Sequence, residues 1–160
     1  MLNIQFEKLI PISEITGEDK EDRHLILNSL AEARDYIKSY KWCEQVTEEY
    51  LGIGIGGVVS VFLFKIVPKL VGVDEYIWVI TGDLPPAYIT CEDAPNAACA
   101  LDGYIGAMEE WVETIQDNKS VGNLIPVNTP PTNEYASMLE SRLKFLTEEI
   151  LSSHEKDLTY

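Results

Sequence analysis

Four carboxylates recur at helical spacing in the second half of the sequence. Asp102, Glu109, Glu113 and Asp117 are separated by seven, four and four positions, and Gly106 completes the same series. At about 3.6 residues per turn, these positions lie on one face of a helix. Carboxylates grouped in this way can attract a cationic partner, bind a hard metal ion or carry acid–base catalysis.

This acidic stripe is unfavourable for the helix that carries it. Glu109 and Glu113 are like charges one turn apart, which costs roughly 0.2–0.5 kcal/mol. Asp117 lies near the predicted helix C-terminus, where the helix dipole disfavours an anion, and Gly106 weakens a helix by up to ~1 kcal/mol relative to alanine. Three unfavourable choices on one stripe indicate a function, although a solvated face that tolerates small penalties explains the same pattern.

Two functional interpretations compete with that solvated face. The first is a binding protein of immunity or inhibitor type that masks a basic partner protein with the surface of residues 83–117. The second is a carboxylate- or metal-dependent hydrolase that uses the same region. We favour the first and predict no catalytic residue, cofactor or metal ligand, because His24 and His154 lie outside the central elements and no other general base stands out. The predicted partner-binding residues are Asp83, Glu92, Asp93, Asp102, Glu109, Glu113 and Asp117.

The charge balance supports a basic partner. The 160 residues have a formal net charge of −15, and residues 70–118 contain ten acids but no lysine, arginine or histidine. Such a chain repels nucleic acid and anionic membranes and attracts basic proteins, a toxin among them. High acidity also keeps a protein soluble, so charge alone does not separate these two interpretations. The oligomeric state does not follow from the sequence.

A glycine motif suggests a different chemistry but lacks the context it needs. Gly52, Gly54 and Gly57 form G-x-G-x-x-G, the fingerprint of dinucleotide-binding folds. That fingerprint requires a strand before it and a helix after it. Here VVSVFLFKIV follows, a run typical of a strand, so Gly56 and Gly57 are predicted to form a hairpin turn.

The two glycines inside the first of these strands need a separate explanation. Strict alternation would place Leu51, Ile53 and Ile55 on one face and leave Gly52 and Gly54 as bare backbone on the other. Close approach of a packed helix, a ligand or a second molecule would explain them. Self-association through this glycine face is therefore a third hypothesis.

The three cysteines do not form a recognisable site. Cys43, Cys91 and Cys99 are widely spaced and contain no C-x-x-C pair, so we expect small buried thiols in a reducing compartment. A nucleophilic Cys91 would need a histidine base, and its acidic neighbours would raise its pKa.

The elements that carry these residues predict an α+β domain. A serine and a glutamate in a capping box predict a helix from Ser29 to about Tyr40. Apolar periodicity predicts a helix that carries the acidic stripe, and Thr132 or Asn133 caps a last helix to about Leu151. We expect an antiparallel sheet of three to five strands with about three helices on one face. The predicted strands span residues 44–55, 58–67, 75–82 and 87–90.

The same patterns set the expected domain limits. Residues 1–28 are predicted to be an N-terminal arm, residues 29–151 a single α+β domain and residues 152–160 a frayed tail. The longest apolar run, Leu51 to Phe64, is shorter than the about 20 residues that span a bilayer. Because Glu7 and Lys8 interrupt the start of the chain, we expect no signal peptide and a cytoplasmic location.

Several segments resemble a family of small acidic bacterial proteins without an established activity. They are EYIWVITGDLPPAYI, ACALDGYIGAMEEWVE, LIPVN and MLESRLKFL, and the resemblance covers residues 43–151. It implies a cytoplasmic bacterial protein and no particular catalytic residue. In its small size, acidity and single domain, the chain is also similar to immunity proteins, which neutralise bacterial toxins.

Overall fold

A five-stranded antiparallel sheet forms the centre of the protein. The computed structural model describes residues 3–15 and 20–158 of the chain. Each strand pairs with the next one along the chain, in the order β1-β2-β3-β4-β5. The predicted α+β class, with an antiparallel sheet of three to five strands and about three helices, is confirmed. The strands are β1 (Ile10–Pro11), β2 (Cys43–Ile55), β3 (Val59–Pro68), β4 (Tyr76–Gly82) and β5 (Ala87–Thr90).

Three α-helices pack on this sheet: α1 (Lys20–Lys38), α2 (Ala97–Gln116) and α3 (Asn133–Phe145). The chain then continues through a π-helical turn, Leu146–Ile150, and a 3₁₀ segment, Leu151–Asp157. Two short 3₁₀ turns, Phe6–Lys8 and Ile12–Glu14, flank β1. Within the described part of the chain, no helix combines the length and apolar character needed to cross a bilayer.

The helices cover both faces of the sheet. Val61 and Leu63 of β3 pack with α2 and α3, whereas Phe62 and Phe64 point to the other side and pack with α1. Side chains alternate along a strand, and both faces of this strand are apolar, so each face must be buried. The prediction that all helices lie on one face is therefore wrong, and the molecule has three layers.

The first helix begins earlier than its predicted cap. It starts at Lys20, so Ser29 lies in its middle and is buried. The carbonyl of Ser29 accepts a hydrogen bond from the Thr81 hydroxyl at 3.1 Å, which ties α1 to β4. Burial of Ile26 against the sheet extends the helix past the local capping signal. Residues 16–19 of the predicted arm, and residues 1 and 2, lie outside the described residues.

The G-x-G-x-x-G stretch is a β-hairpin, as predicted. It joins β2 to β3, and Gly57 has a φ of +76°, a conformation that glycine adopts without strain. The amide of Gly56 donates to the Asp22 carboxylate at 2.9 Å, which connects the turn to the first turn of α1.

The glycines of β2 do not share one bare face. An irregularity in the pairing between Leu51 and Ile53 sends Leu51 to the α1 side and Ile53 to the α2 side. Gly52 lies against Ala97 of α2, and Gly54 lies against Ile26 of α1. Strict alternation from Leu51 to Ile55 was therefore a wrong expectation, and helices cover the glycine surface that self-association would have used.

Both terminal segments contact the central layers. Leu9 and Ile15 are buried, and Ile10 pairs with Leu51 of β2. At the other end, the Asp157 carboxylate lies 2.5 Å from Nζ of Lys8. Residues 152–157 of the predicted tail thus form an ordered turn, and residues 159 and 160 lie outside the described residues.

Candidate partner-binding surface

Side-chain and backbone caps fix both ends of α2, the helix that carries the acidic stripe. At its start, Oδ1 of Asn96 accepts from the amide of Cys99 at 2.9 Å. At its end, Asn118 has a φ of +57° and its amide donates to the carbonyl of Ile115. Asparagine tolerates this left-handed conformation and takes the place that glycine often occupies after a helix.

The buried side of α2 determines which of its residues face solvent. Tyr104, Met108 and Trp111 are fully buried against the sheet. The hydroxyl of Tyr104 also donates to the carbonyl of Pro85 at 2.7 Å, which fixes the rotation of the helix. The opposite side must therefore point outward, and it carries Glu109 and Glu113.

The acidic stripe follows this outward side, except at its first residue. Gly106, Glu109, Glu113 and Asp117 are exposed, while Asp102 is half-buried. A Cβ built at Gly106 would meet no atom within 4 Å, so nothing inside the described structure requires glycine there.

Glu109 and Glu113 line a groove between α2 and α3. The groove encloses about 290 Å³, and Val112 and Leu143 form its apolar floor. Its rim has four carboxylates against a single ammonium group. The charged residues of this acidic groove are Glu109, Glu113, Glu140, Glu148 and Lys144.

Within the described residues, no lysine or arginine forms an ion pair with a carboxylate of the acidic groove. Among residues 3–15 and 20–158, the ion pairs are Lys8–Asp157, Arg34–Glu49, Lys65–Glu48 and Arg142–Asp83, and none of them involves the groove. One groove carboxylate, that of Glu140, accepts a long hydrogen bond of 3.4 Å from Gln116. The negative charge of the groove is thus available to an external cation.

Asp83, by contrast, already has a partner. Its Oδ2 lies 3.3 Å from Nε of Arg142 on α3, although the Asp83 side chain is 70% exposed. Exposed ion pairs contribute little to stability. The pair nevertheless neutralises the charge that was predicted to face a basic protein.

Glu92 and Asp93 lie away from the acidic groove. Both are exposed in the turn between β5 and α2, at the N-terminal end of that helix. A helix of 20 residues is about 30 Å long, and Glu113 lies near its other end. The seven predicted residues therefore fall into three places: the α2 stripe, the Asp83–Arg142 pair and the turn before α2.

The other side of α3 borders an apolar groove. Met138 and Phe145 are 46% and 48% exposed, and they line this mainly apolar groove with Leu84 and Val58, beside the Asp83–Arg142 pair. Tyr135, which is 42% exposed, continues the same apolar surface. Helix α3 thus stands between an acidic groove and an apolar groove.

Glu140 and Glu148 were missed by the sequence analysis, although a signal for them exists. They are two turns apart and flank the apolar series of Leu139, Leu143 and Leu146. Helical periodicity would have placed them on one edge of the predicted last helix, although Glu148 lies in the π-helical turn that follows α3. Only the packing of α3 and this turn against α2 shows that this edge faces Glu109 and Glu113.

Metal binding and thiol catalysis are two other chemistries that carboxylates and cysteines can carry. In the described part of the chain, no three histidine, cysteine or acidic side chains are placed to hold a metal ion together. The three cysteines are buried, as predicted, and none of them is bonded to another. Burial, with the nearby Asp74 carboxylate, raises the pKa of Cys91 to about 12, which keeps it a neutral thiol rather than a nucleophile.

Comparisons with protein-family models, with curated proteins and with solved structures found no match for the chain.

Proposed function

We propose that the protein is an acidic binding protein, of immunity or inhibitor type, that masks a basic surface of a partner protein. The interface is centred on α3 and the neighbouring stripe of α2. The acidic groove receives lysine or arginine side chains of the partner, and the apolar groove receives an apolar anchor.

The unpaired carboxylates of the acidic groove carry this proposal. Glu109, Glu113, Glu140 and Glu148 surround one concave surface and form no ion pair within the described residues. Their mutual repulsion is unfavourable in the free protein, and a cation from outside relieves it. The open groove and its apolar floor also suit the aliphatic stems of lysine and arginine.

The apolar side of α3 supplies binding affinity that charge alone does not. Rim charges mainly speed association and select the partner, while buried aromatic and aliphatic side chains give most of the affinity. Met138 and Phe145 are exposed apolar side chains beside the acidic groove, on the same helix. A partner that covers α3 would bury them and meet the carboxylates at the same time.

The test has two stages. Tagged protein captures partners from a lysate of the source organism, and each candidate identified by mass spectrometry is then purified and its binding measured by surface plasmon resonance. For a direct, basic partner we expect the Glu109→Gln/Glu113→Gln variant to lower the association rate about 3- to 10-fold at low salt. We expect a similar loss of wild-type rate when the salt concentration rises from 0.05 to about 0.5 M.

Matched variants separate the acidic groove from overall charge. Asp35→Asn/Glu44→Gln removes the same charge from exposed positions on α1 and at the start of β2, away from the groove, so it should leave the association rate within about 2-fold of wild type. Phe145→Ala should raise the dissociation rate, whereas Val71→Ala, at a fully exposed loop position, should not. Equal effects of the two double variants would contradict the proposal.

A further inference from the structure

A second pocket lies on the opposite face of the sheet, on the α1 side, and no part of the proposed interface uses it. It encloses about 230 Å³ at the edge where β4 and β5 meet the end of α1. Its walls include the rings of Trp42 and Tyr88, the side chains of Val73 and Ile77, and the carboxylate of Asp74. We refer to it as the aromatic pocket.

The two rings of the aromatic pocket form a fixed corner. Their centroids are 5.3 Å apart and their planes meet at 73°. Tyr40 contacts both rings. Its ring centroid lies 5.1 Å from that of Trp42, in a stacked arrangement, and 5.2 Å from that of Tyr88, in an edge-on arrangement. The hydroxyls of Tyr36 and Tyr40 are 3.0 Å apart and hydrogen-bond each other, which ties this cluster to α1. The corner is therefore built into the protein before any ligand binds.

The lining of the aromatic pocket is acidic. Asp74 is the charged side chain among the described residues that line it. Glu75 follows directly, and Glu92 and Asp93 come just after β5, at the same end of the β4–β5 hairpin. Lys41 and Lys69 flank Trp42, and Nζ of Lys65 lies 5.9 Å from the ring centroid of Tyr76, but none of these lysines lines the pocket. A cation is thus favoured at this site and an anion is not.

The residues that line the aromatic pocket determine which kind of cation it can bind. An unmodified ammonium group loses strongly held water on entry, and the five N–H donors of a guanidinium group need several acceptors. The side chains lining this pocket are mainly apolar, and Asp74 and Thr90 are its main polar ones. An alkylated ammonium group holds water weakly, has few or no N–H donors and is attracted to aromatic faces within about 6 Å.

We propose that the aromatic pocket binds a quaternary or methylated ammonium group, with the cation in the corner of Trp42 and Tyr88 and Asp74 balancing its charge. The volume of about 230 Å³ suits a head group of this kind and is smaller than the roughly 300–1,000 Å³ of pockets for drug-sized ligands. The head group belongs either to a small molecule such as choline or to a methylated lysine side chain.

Choline and its neutral isostere, 3,3-dimethyl-1-butanol, test the proposal with the full chain. Binding is followed by the indole N–H resonances in NMR, with sodium chloride at equal ionic strength as the blank. Trp42 is half-buried, whereas Trp78 and Trp111 are buried in the core, so the Trp42 signal should respond. We expect choline to bind at least about 5-fold more tightly than the isostere. Equal binding of the two, or no choline-specific shift of the Trp42 signal, would overturn the proposal.

Variants of the pocket residues test whether choline binds in the aromatic pocket. Tyr88→Leu should weaken choline binding about 5-fold or more, and Asp74→Asn should weaken it severalfold at low salt. Glu75→Gln removes the same charge from the neighbouring residue outside the pocket, and it should have a smaller effect. If Tyr88→Leu fails to fold by circular dichroism, the comparison of Asp74→Asn with Glu75→Gln decides, and equal effects contradict the proposal.

A last comparison distinguishes the two sources of the head group. A peptide with trimethyl-lysine that binds more tightly than choline assigns the pocket to a modified protein, and the reverse order assigns it to a small molecule. An unmodified lysine peptide that binds as tightly as the trimethylated one would overturn the proposal.

Discussion

Gly52 of β2 lies directly against Ala97, the first residue of α2, so that a Cβ at position 52 would overlap the Cβ of Ala97. This contact sets how closely the start of α2 approaches the sheet. The orientation of the acidic stripe depends on it, since Asn96 caps the helix at the same point.

We expect Gly52→Ala to destabilise the protein by about 1–3 kcal/mol, because the added methyl group overpacks the contact between sheet and helix. Urea unfolding followed by circular dichroism measures the change. The double variant Gly52→Ala/Ala97→Gly removes the opposing methyl group and should recover part of the loss. Strict additivity of the two single changes would show that the two residues do not restrict each other.

Gly106→Ala should stabilise the protein by roughly 0.5–1 kcal/mol, because alanine is the better helix former and its methyl group enters open space. Gly103→Ala is the matched control, since the nearest atom to its added Cβ would be Ile89 Cγ2, at an ordinary 3.8 Å. Thermal unfolding measures both changes. If Gly106 allows close approach of a partner, only Gly106→Ala should also weaken binding, and equal binding by both variants would contradict that role.

Ser60→Ala should leave stability unchanged or raise it by up to about 1 kcal/mol. The Ser60 hydroxyl is buried, and no described residue provides a hydrogen-bond partner for it, so its removal relieves an unsatisfied polar group. Thr81→Val, at the paired position on β4, should instead cost about 1 kcal/mol because it removes the hydrogen bond to Ser29. Denaturant unfolding of both variants tests the contrast, and a larger loss for Ser60→Ala would contradict it.

Cys91 should make stability fall between pH 9 and pH 12. Burial, together with Asp74, raises the pKa of this thiol from 9.0 to about 12 in the folded protein. In that window the unfolded chain loses the thiol proton and the folded chain keeps it, so stability falls by at most about 1.4 kcal/mol per pH unit from this group.

Urea unfolding at a series of pH values under reducing conditions measures this slope. The half-buried phenol of Tyr36 and the buried phenol of Tyr104 also have raised pKa values and add to the alkaline loss in both proteins. The Cys91→Ala variant should therefore lose stability less steeply than wild type above pH 9. Parallel curves for the two proteins would contradict the assignment.

The sequence alone determined the features that depend on neighbouring residues. The hairpin at Gly57 follows from the glycine's freedom to adopt a positive φ. Thr132, one of the two predicted caps, caps α3 because its side-chain hydroxyl can accept from an amide three residues on. The predicted bounds of the four main strands differ from those in the structure by no more than one residue, since their apolar runs are clearly interrupted by glycine and proline.

Only the tertiary structure decided which surfaces these elements present. The pairing irregularity at Gly52 places Ile53 on the opposite face of the sheet from the predicted one. Helix α1 begins before the predicted cap at Ser29, because burial on the sheet outweighs the local capping signal. The acidic groove exists because α3 and the π-helical turn after it pack against α2, which brings Glu140 and Glu148 beside Glu109 and Glu113. Contacts between residues far apart in the chain depend on how the layers pack, and local periodicity records only the face that each residue occupies.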